Sequence, residues 1–310
     1  MEEGRGVLIA GPTASGKSAL AMRVAERRRG VVINADSMAV YRDLSILTGR
    51  PDAADLARVP HRLYGHRDAA DAHSVGLWLG EAEAELRRAW AAGLLPVVVG
   101  GTGLFFKALT QGLSDIPTVP DAVRARVRGE AEGLTPDDLH ARLRHIDPLT
   151  AAGLRPSDPQ RVLRAIEVFE ATGRPLAVFQ ARRSSPVLPM RRAAALVLTP
   201  DRGALRGAID RRFDRMMEEG ALDEVRRLAG RRLDPALPAM RALGVPPLLA
   251  HLAGVLPLEA AVARSKAETR AYAKRQDTFG RHQLGDFVPV APEGAEAALD
   301  LLLSRPVTRP

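Results

Sequence analysis

The sequence predicts an α/β protein: a doubly wound parallel sheet with an inserted all-helical domain and a helical C-terminal region. Short apolar runs alternate with helical patterns through the first third of the chain, which is typical of parallel strands joined by right-handed crossovers. The apolar runs lie at residues 6–10, 31–33 and 94–99, and the helical patterns lie at 18–28 and 78–91. The alternation stops near Ser114, and an apolar run at 193–198 predicts that the sheet then resumes.

The loss of strand signals after Ser114 indicates an insertion in the middle of the chain. Proline-containing stretches at 116–120 and 184–189 mark its two ends, and only helical patterns lie between them. We therefore predict three segments: 1–112 as the first part of the core, 113–185 as the helical insertion and 186–310 as the second part of the core. The helical patterns lie at 122–132, 136–144, 159–172, 202–219, 222–229 and 258–278.

Composition narrows the class of protein. Hydrophobic residues make up 46% of the 310 residues and charged residues 26%, a globular balance that argues against disorder. The chain has no cysteine, which excludes disulfides and thiol catalysis. Its apolar runs are too short to cross a membrane and no signal peptide opens it, so a cytoplasmic enzyme is the default expectation. The net charge of +8 predicts an anionic partner, such as phosphates, nucleic acid or a membrane surface.

A phosphate-binding signature follows the first predicted strand. Residues 11–18 fit the P-loop pattern GxxxxGK[ST] and lie between a strand and a helix, as that pattern requires. The glycines let backbone N–H groups face phosphate oxygens, Lys17 adds a positive charge, and the Ser18 hydroxyl can ligate Mg²⁺. The pattern predicts a site for a diphosphate or triphosphate, without naming the reaction. Its residues are Gly11, Pro12, Thr13, Ala14, Ser15, Gly16, Lys17 and Ser18.

Two further segments are expected beside this loop, because ligands bind at the carboxyl ends of strands in a doubly wound sheet. Asp36 and Ser37 follow the second predicted strand, and Gly101 to Gly103 follow the third. A nucleotide hydrolase would usually carry a Walker-B aspartate at the end of a later strand, whereas this strand ends in Gly-Gly-Thr-Gly. Asp36 could therefore be a general base or a metal ligand, or equally a turn or cap residue.

These motifs together resemble the tRNA dimethylallyltransferase family, the isopentenyl transferases that prenylate the adenine just 3′ of the anticodon. Several separate motifs in the same order carry the resemblance along almost the whole chain. They are Gly11–Ser18, Asp36–Tyr41, Pro60–Leu63, Val99–Leu104, Asp158–Arg161 with Arg164–Glu167, Arg212–Phe213 with Met216, and Lys274–Gln276.

The resemblance implies that the loop holds the diphosphate of dimethylallyl diphosphate rather than ATP. It implies that Asp36 takes a proton from the exocyclic amine of adenine. Thr102 and Arg212, together with Lys17, would stabilise the departing diphosphate, and Mg²⁺ would bridge Ser18 and the diphosphate. Cleavage of an allylic C–O bond leaves negative charge on the leaving group, so this division of roles agrees with the chemistry.

The resemblance also implies a tRNA anticodon stem-loop as partner, an enzyme that acts as a monomer, and an inserted domain that grips the stem. The adenine must leave its stack to react. On the last helix, Lys266, Arg270 and Lys274 recur at four-residue spacing, which fits either phosphate contacts or a solvated charged face. The positions that match the family's tRNA contacts are Ser37, Met38, Ala39, Gln160, Arg161, Arg164, Arg241, Leu243, Gly244, Lys274, Arg275, Gln276 and Arg281.

Some positions depart from the family pattern. Ala39 stands where the family usually has glutamine, and Val245 where it has tyrosine. Residues 46–51 read Ile-Leu-Thr-Gly-Arg-Pro in place of Ile-Gly-Thr-Ala-Lys-Pro, and residues 278–281 read Thr-Phe-Gly-Arg in place of Thr-Trp-Phe-Arg. All of these segments are expected to face tRNA or to support the channel, so we expect intact chemistry with altered tRNA contacts.

Two other functions are consistent with the phosphate loop alone. A P-loop kinase of a small metabolite is the first, and the missing Walker-B aspartate argues against it. A non-catalytic nucleic-acid-binding module is the second, and the presence of Asp36 and Thr102 argues against it. The spacing of His61, His66 and His73 suits neither a zinc motif nor a triad, so we expect surface or tRNA-side residues there.

Overall fold

The computed structural model describes residues 4–305, and its centre is a six-stranded parallel sheet. The strand order is β3-β2-β4-β1-β5-β6, so β4 lies between β1 and β2. The strands are β1 (Gly6–Ala10), β2 (Gly30–Asn34), β3 (His61–Arg62), β4 (Leu95–Gly100), β5 (Ala193–Leu198) and β6 (Val288–Val290). The doubly wound α/β class predicted from the sequence is confirmed, with two short edge strands that were not predicted.

Helices cover both faces of this sheet, because side chains alternate along each strand. Val7 and Ile9 of β1 pack in a cluster with Leu20 and Val24, whereas Leu8 packs on the other face in a cluster with Trp78. The helices of the first half are α1 (Lys17–Arg27), α2 (Ala53–Arg58), α3 (Val75–Ala91) and α4 (Gly103–Gln111). The two faces together bury the central strands completely, which fixes the loops at their carboxyl ends.

Residues Gln111–Pro186 form a separate compact unit made of helices. Its core includes Val127, Leu143 and Ile166, and a capping box between Thr135 and Asp138 starts one of its helices. The helices are α5 (Asp121–Glu130), α6 (Pro136–Ile146), α7 (Pro148–Ala151), α8 (Pro159–Thr172) and α9 (Leu176–Gln180). The predicted insertion, 113–185, lies within this unit.

The remaining helices belong to the same unit as the sheet. They are α10 (Arg202–Glu218), α11 (Ala221–Gly230), α12 (Val245–Leu252), α13 (Leu258–Gln283) and α14 (Ala295–Ser304). A third hydrophobic cluster contains Tyr41, from the segment after β2, together with Phe213 of α10, Val225 of α11 and Leu248 of α12. Within residues 4–305, no helix is long and apolar enough to cross a membrane.

Candidate active site

The phosphate loop connects β1 to α1 and leaves the first turn of that helix open. Gly16 has a positive φ of 84° and provides no side-chain cap for α1. The backbone N–H groups at the start of a helix have no partner inside the helix, and the helix dipole favours an anion there. The loop therefore presents backbone donors of the kind that bind a phosphate group.

Lys17 is the buried cation of this loop. Its Nζ donates a hydrogen bond to the carbonyl oxygen of Pro12 at 3.1 Å. Burial, with the nearby positive charge of Arg212, lowers the pKa of Lys17 to about 8, and the negative charge of Asp36 acts in the opposite direction. A bound diphosphate would favour the protonated ammonium, because an opposite charge at short range stabilises the charged form.

Asp36 lies two residues beyond β2 and is held by the side chain of Asn34. The Asn34 amide accepts from the Asp36 N–H at 2.9 Å and donates to the Asp36 carbonyl at 2.9 Å. Oδ1 of Asp36 accepts a hydrogen bond from the N–H of Met38 at 2.9 Å. No hydrogen-bond donor of residues 4–305 contacts its other oxygen, Oδ2. That oxygen is therefore able to accept a proton from a substrate.

Thr102 lies in the loop that follows β4, next to the segment that carries Asp36. Its Oγ1 accepts a hydrogen bond from the Ser37 N–H at 3.0 Å, and its own N–H donates to the carbonyl of Ala35 at 3.1 Å. The close approach needs a glycine at position 100, because a Cβ there would lie 2.1 Å from the backbone of Ala35. Since β4 lies between β1 and β2, the loops that carry Lys17, Asp36 and Thr102 are neighbours.

Arg212 reaches the same place from α10. Its Nη2 donates to the carbonyl of Thr48 at 3.5 Å. Burial lowers the pKa of Arg212, and the negative charge of Asp36 acts in the opposite direction. The guanidinium stays protonated at neutral pH all the same, because an arginine side chain loses its proton only in strongly alkaline solution. One buried cation, Lys17, and one half-buried cation, Arg212, thus lie near Asp36, an arrangement that an added anion would stabilise.

Two cavities meet at these residues. We call the first the phosphate cavity; it has a volume of about 100 Å³. The second, which we call the central cavity, has a volume of about 300 Å³ and includes apolar side chains. Thr13, Asp36, Thr48 and Arg212 line both. The phosphate cavity adds Lys17, Ser18, Asp55 and Tyr64, and the central cavity adds Met38, Leu47, Phe213, Met216, Arg241 and Tyr272.

The residues expected to contact tRNA do not share one environment. Ser37, Met38, Arg241 and Arg275 line the central cavity. Lys274 and Arg281 line a third cavity, of about 740 Å³, between α10 and α13. Gln160, Arg161 and Arg164 lie on α8 of the helical unit, where Arg161 pairs with Asp158 at 3.2 Å and Arg164 with Glu167 at 3.5 Å. Leu243 lines the central cavity and Gly244 is buried.

One of these expectations, for Ala39, needs correction, and other basic or polar positions have partners inside the protein. Ala39 is 3% exposed and part of the core, so its side chain is not available to an RNA partner. The side-chain amide of Gln276 accepts a hydrogen bond from the backbone N–H of Thr13 and donates one to the backbone carbonyl of Gly101. In the helical row that fits either phosphate contacts or a solvated charged face, Lys266 pairs with Asp214 at 2.6 Å and Arg270 with Asp210 at 2.5 Å, because α10 packs against α13.

Several of the positions that depart from the family pattern pack inside the protein, near the site. The ring of Phe279 lies against Gly103, and Gly280 is buried against Val197. Val245 is 0% exposed, at the start of α12. Phe279 and Val245 therefore pack inside the protein rather than forming an outer surface.

The histidine expectation is also wrong in part. The side chain of His73 is only 2% exposed, so it is not a surface residue. His66 and His73 both contact the carboxylate of Glu81, at 2.9 and 3.1 Å, and Arg67 pairs with the same group. Arg67 therefore supplies, from within the cluster, the positive charge that balances the carboxylate of Glu81.

Sequence reasoning missed Thr48, Tyr64 and Tyr272. Burial and the negative charge of Asp36 raise the pKa of Tyr272 to about 12, while the nearby polar side chains of Thr102 and Gln276 act in the opposite direction. Burial likewise raises the pKa of Tyr64. Tyr272 precedes Gln276 by four residues, so the helical period could have placed both on one face. Thr48 lies in the segment 46–51 that the family pattern pointed to, but it was not singled out there, and Tyr64 carried no comparable signal.

Comparison with known proteins decides the family. The sequence model of the IPP transferase family matches residues 39–283, and that of the isopentenyl transferase family matches residues 5–70. A protein of Methylocella silvestris named tRNA dimethylallyltransferase is 60% identical over 94% of this chain and 96% of its own length. A protein of Methylobacterium nodulans with the same name is 59% identical over 96% of this chain and 98% of its own. The chain belongs to the IPP transferase family.

Solved structures agree with this membership. The full-length tRNA isopentenylpyrophosphate transferase from Bacillus halodurans is 31% identical, with a TM-score of 0.69 over 97% of this chain and 95% of that one. A eukaryotic dimethylallyltransferase acting on tRNA is 26% identical, with a TM-score of 0.82 over 98% of this chain and 81% of that one. The two IPP transferase matches together span the phosphate loop, Asp36, Thr102 and Arg212. The resemblance inferred from the sequence is confirmed.

Proposed function

We propose that this protein transfers a dimethylallyl group from dimethylallyl diphosphate to the exocyclic amine of the adenine 3′ of the anticodon in tRNA. The observation that carries the proposal is the position of Asp36, which lines both the phosphate cavity and the central cavity. A diphosphate in the first and a purine in the second would both reach this carboxylate. The products are diphosphate and N6-(dimethylallyl)adenosine.

The electron balance of the reaction assigns a role to Asp36. The bond between the allylic carbon and the diphosphate oxygen breaks, and that oxygen keeps the electron pair. The amine nitrogen forms the new bond to carbon and must lose a proton. Oδ2 of Asp36 has no protein donor among the described residues, so it is available to accept this proton, while the bond from Met38 to Oδ1 fixes the carboxylate.

The leaving diphosphate needs preorganised positive charge and donors. Lys17 supplies a buried cation and Arg212 a half-buried one, the start of α1 supplies backbone N–H groups, and Thr102 would add a hydroxyl from the loop after β4. Such groups stabilise negative charge as it develops in the transition state. They are more effective than the same groups in water because they are fixed in a site that excludes water. Lys17, Arg212 and the backbone N–H groups are already held by the fold, whereas the Thr102 hydroxyl must turn its proton away from Ser37.

A magnesium ion fits this site. Ser18 lines the phosphate cavity together with the carboxylates of Asp36 and Asp55, and Mg²⁺ prefers such oxygen ligands. We expect the Ser18 hydroxyl and the diphosphate oxygens to hold it. When bound, the ion would neutralise part of the negative charge of the leaving group.

The central cavity offers space and chemistry for an unstacked base. Its volume of about 300 Å³ lies in the range of ligand pockets, and Met38, Phe213 and Tyr272 provide apolar and aromatic surface. Arg241 and Arg275 add positive charge on the same lining, which suits an RNA backbone. As the family resemblance implies, we propose that the active form is a monomer.

The test is transfer of a labelled dimethylallyl group to an anticodon stem-loop that contains the adenine, followed by nucleoside mass spectrometry. We expect transfer by the native protein and a loss of about 10²–10⁴-fold in Asp36→Asn, because general-base catalysis contributes roughly that much. RNA binding by Asp36→Asn should stay close to that of the native protein.

Asp286→Asn is the matched control, because Asp286 is exposed and lines neither the phosphate cavity nor the central cavity. It should transfer at the native rate. Failure of the native protein to modify any such stem-loop would contradict the proposal. ATP turnover stimulated by a small hydroxylated metabolite would favour a kinase instead, and tight RNA binding without transfer would favour a binding module.

A further inference from the structure

Gln276 of α13 joins two loops of the candidate active site. Its Oε1 accepts a hydrogen bond from the backbone N–H of Thr13 in the phosphate loop, at 2.9 Å. Its Nε2 donates to the backbone carbonyl of Gly101, next to Thr102, also at 2.9 Å. The two ends of one amide are thus matched to one donor and one acceptor, on loops that follow β1 and β4.

The Gly101–Gly103 loop is shaped to receive α13. A Cβ at position 101 would lie 2.0 Å from Nε2 of Gln276, and one at position 103 would lie 2.2 Å from the ring of Phe279. Gln276 and Phe279 are three residues apart and therefore share a helix face. The same helix face holds the residues on both sides of Thr102, so the position of the Thr102 hydroxyl depends on α13.

We propose that Gln276 is a positioning residue, which holds the Thr102 loop in register with the phosphate loop so that the Thr102 hydroxyl meets the departing diphosphate. This inference rests on the proposed prenyl transfer. Gln276 itself takes part in no bond change. A contact that strengthens only as negative charge develops affects kcat more than KM, and small displacements of such a contact are costly.

Two substitutions separate this role from simple packing. Gln276→Met keeps a side chain of similar length but removes both hydrogen bonds. Gln276→Glu keeps an acceptor for the Thr13 N–H and places a carboxylate oxygen against the Gly101 carbonyl, where two acceptors repel. We expect each variant to lower kcat for prenyl transfer by about 10–100-fold, with KM for the RNA within about threefold of the native value.

The double variant Gln276→Met with Thr102→Val tests the route of the effect. If Gln276 acts through Thr102, the double variant should be no more than about twofold slower than Thr102→Val alone. Gln283→Met is the matched control, since it removes an exposed glutamine from the same helix, where it accepts a hydrogen bond from Lys107 at 2.6 Å. This control should keep native kcat.

Hydrogen–deuterium exchange gives a readout that does not need the reaction. In Gln276→Met, peptides that cover residues 11–16 and 99–104 should both exchange faster than in the native protein, and in Gln283→Met they should not. Unchanged exchange in both loops, additive losses in the double variant, or a raised KM for RNA at native kcat would each overturn the inference. Faster exchange in a native protein that transfers no prenyl group would support the positioning role while refuting the proposed function.

Discussion

Thr102 accepts the backbone N–H of Ser37 at 3.0 Å, so the residue directly after Asp36 is tied to the loop after β4. The same hydroxyl lies 3.3 Å from the Ser37 hydroxyl, to which it donates. One threonine therefore links the segment of the proposed base to the loop that would face the leaving group. Its proton must turn from Ser37 to reach a diphosphate oxygen, which sets up the first prediction.

Removal of the Thr102 hydroxyl should slow prenyl transfer. We expect Thr102→Val to lower kcat by about 10–100-fold, because it removes one donor to the developing charge of the diphosphate and the acceptor of the Ser37 N–H. Thr102→Ser should restore most of the rate, since it restores the hydroxyl. Single-turnover transfer to a stem-loop measures both.

Thr110→Val provides the control for that comparison. Thr110 is a buried threonine, and its hydroxyl donates to the Phe106 carbonyl inside α4 at 2.9 Å. We expect native kcat and a loss of about 1 kcal/mol in the free energy of unfolding. Equal slowing by Thr102→Val and Thr110→Val would mean that the hydroxyl at position 102 has no special role.

The affinity for dimethylallyl diphosphate should depend on pH through Lys17. Burial lowers the pKa of Lys17 to about 8 when no diphosphate is bound. The bound diphosphate favours the ammonium and raises that pKa, so binding takes up a proton above pH 8. The dissociation constant should therefore be flat below about pH 7 and rise as pH increases through 8 and beyond.

Calorimetry in two buffers of different ionisation enthalpy measures this proton uptake directly. Lys17→Met should bind the diphosphate more weakly and lose the pH dependence in this range. Lys107→Met, on α4, should keep the native profile. A dissociation constant that falls between pH 7 and about 9 would contradict the sign of the effect.

Much of the fold could be predicted because its elements are long or completely apolar. The structure gives Gly6–Ala10, Pro159–Thr172 and Ala193–Leu198 the bounds that the sequence suggested. The strands His61–Arg62 and Val288–Val290 were missed because two or three residues cannot display a period. Helix α12 was missed because Pro246 and Pro247 suggest a turn, although proline is tolerated in the first turn of a helix.

The site could be predicted only in part. Residues at the carboxyl ends of parallel strands must lie along one edge, so the approach of Lys17, Asp36 and Thr102 follows from the strand order. The order of the elements along the chain does not reveal that β4 lies between β1 and β2. It does not reveal how α13 packs across the loops either. The family resemblance suggested only an RNA contact for Gln276, and its hydrogen bonds with Thr13 and Gly101 were not foreseen.

The contact between β4 and the segment after β2 should not tolerate a side chain at position 100. A Cβ in Gly100→Ala would lie 2.1 Å from the carbonyl carbon and oxygen of Ala35, both backbone atoms that cannot move aside cheaply. We expect a loss of about 2–3 kcal/mol in the free energy of unfolding, together with lower transfer activity. Denaturant unfolding measures the first effect.

Gly80→Ala is the matched control. Gly80 lies in α3, is exposed, and has open space where a Cβ would go. Alanine there should raise the free energy of unfolding by up to about 1 kcal/mol, because glycine is a poor helix former. Two variants of the same chemical size should thus change stability in opposite directions. If Gly100→Ala were as stable as the native protein, the close approach to Ala35 would be wrong.

Glu224 of α11 should be a strong determinant of stability, because its buried carboxylate organises the loop that carries Thr48. It accepts the N–H groups of Ser45, Ile46 and Leu47 at 2.6, 2.8 and 3.0 Å and is itself 2% exposed. Glu224→Ala leaves these donors unsatisfied, which should cost about 3–5 kcal/mol of unfolding free energy.

The neighbouring variant Asp223→Ala separates this burial effect from charge alone. Asp223 directly precedes Glu224 on α11 but is exposed, and it pairs with Arg226 at the surface. Its removal should change the free energy of unfolding by less than about 1 kcal/mol, since exposed ion pairs contribute little. Because Thr48 accepts from Arg212, Glu224→Ala should also weaken diphosphate binding at temperatures where the variant is still folded. Native diphosphate affinity in a destabilised but folded Glu224→Ala would show that the loop does not position Arg212.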